Sequence, residues 1–381
     1  MTNSELSLRQ SQALRGIAIL GIVLHNYCHF LKFAVKENEY TFTAEKPQQF
    51  WDALVSLNHD LFIHFFSFFG HYGVPIFLFI SGYGLVKKYE APLLSPQGGG
   101  IPFLWRHFRK LFRLMIWGYL LFVAVYFLRN DNGWEVYSWD RIAAQLTMTV
   151  NFLYEHPDRV IKPGPYWFFG LMMQLYALYI FVIHRWRNIW LLLALVVGCW
   201  LIQVLMPTPD ALNFVRYNFI GGVLPFAAGV ALARKSLTPD PSPKGEGRRY
   251  IHAPSTASRH ITPLFLWGGV GGVAVLVGSF WFHIWLWVPL FVVIGAVATV
   301  KFLPEWLLRP CEWVGGISAA LFVMHPLMRE IIIPHYRHTD IYYGIAVYLL
   351  ASIAAAMILK RFLQHSSPFR FTSKRSEETT R

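Results

Sequence analysis

Long apolar runs separated by short polar connections organise this chain. The runs cover residues 14–35, 61–86, 111–128, 165–183, 189–206, 214–233, 264–282, 284–302, 313–333 and 341–359. A bilayer core takes roughly 20 mostly apolar residues to cross as a helix. These runs are too long and too continuous for the alternating strands of an outer-membrane barrel, so helix is the spanning element they predict. The expected fold is all-α, a polytopic transmembrane bundle of about ten helices. Segment 142–154 is too short and too polar to span, and reads as a surface or re-entrant helix. No small-residue cleavage site follows the first run, which is therefore expected to be a retained span and not a signal peptide.

The polar connections supply an orientation. With the N-terminus inside, the connections assigned to the cytoplasm hold 24 of the 34 Lys and Arg residues, and 10 remain outside. That bias follows the positive-inside rule and predicts two cytoplasmic termini and an even number of spans. Residues 1–364 form one integral-membrane domain on this reading, and 365–381 a basic cytoplasmic tail. Two cytoplasmic inserts, near 88–104 and 235–262, share the pattern P-x-x-S-P-x-G-x-G, a composition that cannot bury a core. The outer connections 36–60 and 129–164 are longer and more acidic, and could cover an acceptor site.

Composition agrees with a membrane solvent. Of 381 residues, 55% are hydrophobic and 14% charged, against about a quarter charged in soluble proteins. Aromatic residues reach 17%, with 15 Trp, as expected of belts at the two bilayer faces. The net charge of +13 is accounted for by topology, and no nucleic-acid partner is implied. Cys28, Cys199 and Cys311 show no paired spacing, so neither a disulfide framework nor a metal site is expected of them.

Ionisable side chains inside a span are costly and mark function. The first run carries Arg15 near its inner end, then His25 and His29. At about 1.5 Å rise per residue, His25 lies roughly 15 Å beyond Arg15, near mid-membrane on the predicted boundaries. At about 100° per residue, His29 faces within about 40° of Arg15 and His25 about 80° away. A neutral imidazole there could take the proton of an attacking hydroxyl. A hydrogen-bonded packing histidine and a snorkelling arginine are the structural alternatives. The His25/His29 spacing of four would suit a metal, but no carboxylate accompanies it in the run, and no metal is expected.

The stretch Leu14-Arg15-Gly16-Ile17-Ala18-Ile19-Leu20-Gly21-Ile22-Val23-Leu24-His25 resembles the opening of the acyltransferase-3 family of integral-membrane acyltransferases. Gly73-Val74-Pro75-Ile76-Phe77-Leu78-Phe79-Ile80-Ser81-Gly82-Tyr83 is similar to that family's Gly-Val-Asp-Leu-Phe-Phe-x-x-Ser-Gly-Phe signature. Tyr166-Trp167-Phe168-Phe169 and Ile317-Ser318-Ala319-Ala320-Leu321-Phe322-Val323-Met324-His325-Pro326 also fit, in order along nearly the whole chain. Two positions depart from the pattern. The family's histidine, eleven after the arginine, falls on Asn26, which leaves the base as His25 or His29. The family's aspartate is Pro75 here, so its role cannot be carried over.

The resemblance implies an O-acyltransferase of the bacterial inner membrane. It would take an acyl group from acyl-CoA, such as acetyl-CoA, to a hydroxyl of a glycan or lipid-linked saccharide, with no tightly bound cofactor and with membrane lipids around it. Under this reading Arg15 and His25 or His29 carry the chemistry. Arg106, Arg109 and Arg113 share one helix face and suit the phosphates of the donor, or else anchor that helix at the inner surface. His71, on one face with His64, and His325 before Pro326 are candidates to line the acceptor site. Trp167 is a substrate platform or a belt residue, and Ser81 a binding or a packing residue. The competing functions are a transporter or flippase of a lipid-linked glycan, and a structural or sensing protein with decayed acyltransferase machinery.

Overall fold

A computed structural model describes residues 5–91, 99–237 and 261–365. Residues 92–98 and 238–260 of the repetitive inserts and 366–381 of the basic tail fall outside these residues. The described residues form helices and no strand. In order they are α1 (Leu8–Cys28), α2 (Glu45–Val55), α3 (Leu61–Phe69), α4 (Gly73–Tyr89) and α5 (Ile101–Arg129). Four short helices follow: α6 (Gly133–Val136), α7 (Trp139–Leu146), α8 (Val150–Leu153) and α9 (Pro157–Val160). Then come α10 (Trp167–Leu178), α11 (His184–Trp186), α12 (Ile189–Val204), α13 (Pro209–Arg216) and α14 (Phe219–Leu237). The last group is α15 (Ile261–Gly278), α16 (Phe282–Trp285), α17 (Val288–Phe302), α18 (Glu305–Tyr336) and α19 (Ile341–His365).

Each predicted run overlaps a helix. Among the described residues, six stretches are long and apolar enough to cross a bilayer: Leu61–Tyr89, Ile101–Arg129, Gly164–Trp186, Phe219–Leu237, Glu305–Tyr336 and Ile341–His365. The protein is thus a multi-pass membrane protein. Residues 142–154 fold into parts of α7 and α8, both too short to span, as their polarity predicts.

The first helix is displaced from its expected bounds. It starts at Leu8 because Ser7 forms a capping box: the Ser7 hydroxyl accepts from the Gln10 N–H, and Gln10 Oε1 accepts from the Ser7 N–H. Such a cap is worth about 1 kcal/mol. It stops at Cys28, where the chain turns and the Lys36 ammonium donates to the carbonyls of His29 and Leu31. His25 therefore lies in the last turn of α1 and His29 is its C-cap, so the imidazoles sit toward the C-terminal end of this helix and not at its middle.

Small residues bring the core helices together. A Cβ on Gly16 would fall 1.9 Å from the Cys311 carbonyl oxygen, and one on Gly315 1.9 Å from that of Gln12. The backbones of α1 and α18 thus touch, which only glycine permits. Gly82 of α4 and Gly229 of α14 do the same against Phe226 and Phe79. α10 and α11 are joined by a π-type turn, Tyr179–Ile183. There buried Glu90 receives Nε and Nη2 of Arg234 at 2.8 and 2.9 Å and the Tyr179 hydroxyl at 3.2 Å.

Candidate active site

A cavity of about 580 Å³ opens where the end of α1 meets the connection 29–44, α9, α13 and the middle of α18. Ile22, Asn26 and His25 of α1 line it, with His29, His71 and Trp167. The fold thus gathers four of the predicted site residues, two from the first run and two from distant segments.

His25 is 5% exposed, and its Nδ1 lies 3.0 Å from the Ser67 carbonyl oxygen. A carbonyl only accepts, so Nδ1 must carry the ring proton, which leaves Nε2 as the lone-pair atom. His29 and His71 flank it, each with its ring centroid 4.9 Å away. Both flanking rings meet a carboxylate from the connection after α1: Glu37 approaches His29 Nδ1 at 2.7 Å, and Glu39 approaches His71 Nδ1 at 2.5 Å. Burial pushes the Glu37 carboxyl up, but His29, with His25 and His71 behind it, outweighs this and holds it below the usual carboxylate range.

The connection is fixed from behind. Arg216 of α13 donates to the Glu39 carbonyl at 2.6 Å and to Gln203 Oε1 at 2.9 Å, and its guanidinium lies 4.2 Å from the Trp285 ring centre. Trp285 Nε1 in turn donates to the Asn38 carbonyl. The fold also supplies the carboxylate that the first run lacks. Ligating atoms of His25, His29 and Glu37 lie within 4.8 Å of one another and could hold a metal ion.

Aromatic rings form one wall. Tyr40 stacks on Tyr217 with centroids 4.2 Å apart, and Trp167 meets both edge-on at 5.4 and 4.9 Å. Trp167 is 4% exposed, so it is part of the cavity wall and not a belt residue in contact with lipid headgroups. Opposite, Asn26 Nδ2 donates to the Ile22 carbonyl, which turns Oδ1 toward Arg329 Nη1 at 2.7 Å. At the position where the resemblance sets a histidine, Asn26 thus accepts a hydrogen bond from the buried Arg329.

Arg15 lies at the other end of α1. It lines a second cavity of about 810 Å³ together with Tyr83, Lys87, Lys88 and Lys301. The two cavities share no lining residue. Arg106, Arg109 and Arg113 line neither cavity: Arg106 and Arg109 are exposed, and Arg113 Nη2 donates to the Leu363 carbonyl at 2.6 Å. Ser81 also lines neither, its hydroxyl donating within its own helix to the Phe77 carbonyl at 2.8 Å. His64 accepts from the Val35 N–H at 3.2 Å. His325 is fully buried beneath the cavity wall, with Nδ1 3.1 Å from the Leu321 carbonyl and Nε2 without a hydrogen-bond partner among the described residues.

Sequence reasoning missed Glu37, Glu39, Tyr40, Tyr217 and Arg329. For the two glutamates the acidic outer connection was the available signal. For Arg329 it was the presence of a cation within an otherwise apolar run.

Neither a curated protein nor a solved structure matches the chain. A family model described as an acyltransferase domain does match, over residues 9–361. That match covers every residue lining the first cavity and most of those lining the second, and the chain accordingly belongs to the acyltransferase-3 family and is an acyltransferase.

Proposed function

We propose that the protein moves an acyl group, acetyl in the simplest case, from acyl-CoA at the inner cavity to a hydroxyl of an envelope glycan or lipid-linked saccharide in the outer cavity. The observation that carries this reading is the placement of α1. Arg15 lines a basic inner cavity, and His25, with Nδ1 tied to a carbonyl, lines an aromatic outer one. Aromatic faces beside hydrogen-bonding groups suit a saccharide, and a cluster of cations suits the donor phosphates. The reading includes ten spans, two cytoplasmic termini and residence in a bacterial inner membrane. That orientation turns the two cavities to opposite faces.

In this mechanism His25 Nε2 takes the proton of the acceptor hydroxyl as its oxygen attacks the thioester carbon. The C–S bond breaks, the ester forms, and the proton passes from His25 to the thiolate, which leaves as free CoA. Arg15, with Lys87, Lys88 and Lys301, takes the place proposed for the third-helix arginines in holding the phosphates.

The test uses purified protein in proteoliposomes with labelled acetyl-CoA and envelope saccharide. General-base removal costs on the order of 10²–10⁴ in rate, so His25→Ala should lose transfer by that factor with KM for the donor little changed. Arg15→Gln should instead raise KM for acetyl-CoA. Wild-type turnover in His25→Ala would remove the base assignment.

A further inference from the structure

The outer cavity carries five cationic side chains, Lys36, Lys46, Arg159, Lys162 and Arg329, against three carboxylates. Four of the cations have no ion pair with a carboxylate among the described residues. Lys36 is held by the carbonyls of His29 and Leu31, and Lys46 by the Glu37 carbonyl at 2.8 Å. Lys162 lies over the Tyr126 ring at 4.9 Å, and Arg329 over Phe30 at 4.3 Å while bonded to Asn26.

The lining carboxylates do not pair with those four cations. Glu37 meets His29, and Asp158 meets the Tyr217 hydroxyl and Arg159, the latter at 3.7 Å. Burial pushes the Asp158 carboxyl up despite Arg159 beside it. Glu330 lines the cavity and acts on Arg329 through space without pairing. A site that accumulates cations held by carbonyls and ring faces is electrostatically incomplete, and an oxyanion entering it would gain several charge-assisted hydrogen bonds.

Resting on the acceptor reading above, we infer that the outer cavity selects a hydroxylated acceptor that carries an oxyanion, a carboxylate or a phosphate ester, close to the hydroxyl that is acylated. The aromatic wall takes the sugar face, and Arg329 with Lys36, Lys46 and Lys162 takes the anion. Arg329, 8% exposed and planar, is suited to bidentate contact with either group.

The experiment measures tryptophan-fluorescence binding of glucose, glucuronate and glucose 6-phosphate to the full-length protein in detergent, and acyl transfer to the same three sugars. We expect at least 10-fold tighter binding of one or both anionic sugars than of glucose. The preference should shrink severalfold between 0.1 and 0.5 M salt. Arg329→Gln and Lys46→Gln should each cost 5-fold or more for the anionic sugar and leave glucose unchanged. Lys46→Arg should restore it, and Lys162→Gln provides a second surface-accessible variant should Arg329→Gln fail to fold. The carboxylate and phosphate arms identify which oxyanion is preferred.

Equal binding of all three sugars, or no binding of any, overturns the inference. So does an anion preference that none of the variants reduces. Anion-selective binding without acyl transfer would leave the selectivity standing and remove the transferase mechanism proposed for this site. Transfer to glucose as readily as to glucuronate would do the reverse.

Discussion

Three imidazoles meet at the C-terminal end of α1, and their partners separate their roles. His25 has its Nδ1 on the Ser67 carbonyl, whereas His29 and His71 each face a glutamate. The Glu39 carboxylate at 2.5 Å orients the His71 ring, which touches His25 edge-on. Glu39→Gln should thus lower kcat roughly 10-fold without changing KM for the donor, as expected of a second-layer orienting group. Steady-state kinetics over both substrates check this, and an unchanged kcat would remove Glu39 from the machinery. Glu37 bears on stability. Its folded carboxyl lies below the ordinary value, so its contribution is full above the unfolded pKa of about 4.3 and is lost as pH falls through the folded value. Glu37→Gln should therefore melt below wild type at pH 7, and the gap should begin to close as pH drops under about 4.3. Thermal unfolding in detergent across pH reads this directly.

At the scale of elements, contact of backbones sets the geometry that places these residues. The crossing of α1 with α18 at Gly16 and Gly315 leaves no room for a methyl group. Gly16→Ala should accordingly cost about 1–3 kcal/mol, the range for overpacking a tight interface. It should also shift Asn26 relative to Arg329, since both lie on the crossing helices. Unfolding in denaturant gives the first, and loss of transfer in folded protein the second. At the C-terminal end of α4, Glu90 ties that helix to α14 through Arg234. Glu90→Ala leaves that guanidinium without its carboxylate and should cost about 3 kcal/mol, seen as a lower melting temperature with the outer cavity's ligand affinity intact. An unchanged melt would show that the pair contributes nothing to stability.

For the whole molecule, the helix that carries both Arg15 and His25 runs between two separate cavities. Arg15 and Ile22, their nearest lining residues on α1, are roughly 10 Å apart along the axis. On the proposed reading, the donor's thioester arm must cross that layer for transfer to occur. In the proposed orientation, a cysteine placed at Asn130 should react with an impermeant maleimide from outside, and one at Ser242 only after the membrane is opened. The opposite labelling would invert the topology and with it the assignment of donor and acceptor cavities.

Hydrophobic run length and the charge of the connections were enough to predict an all-helical membrane protein, because a bilayer demands about the same apolar length of every spanning helix. The first run also disclosed Arg15, His25 and His29, since an ionisable group in hydrocarbon is conspicuous in any apolar stretch. The bounds of α1 were less legible: a capping box at Ser7 and a turn after Cys28 override hydropathy there. Glu37, Glu39, Tyr40, Tyr217 and Arg329 entered the site only through folding, as their partners lie across the chain and no spacing rule joins them. The arginines of α5 satisfied a local pattern, yet a shared helix face cannot say which cavity, if any, that face meets. Local composition determined the solvent and the elements, whereas helix packing alone decided which charges share a cavity.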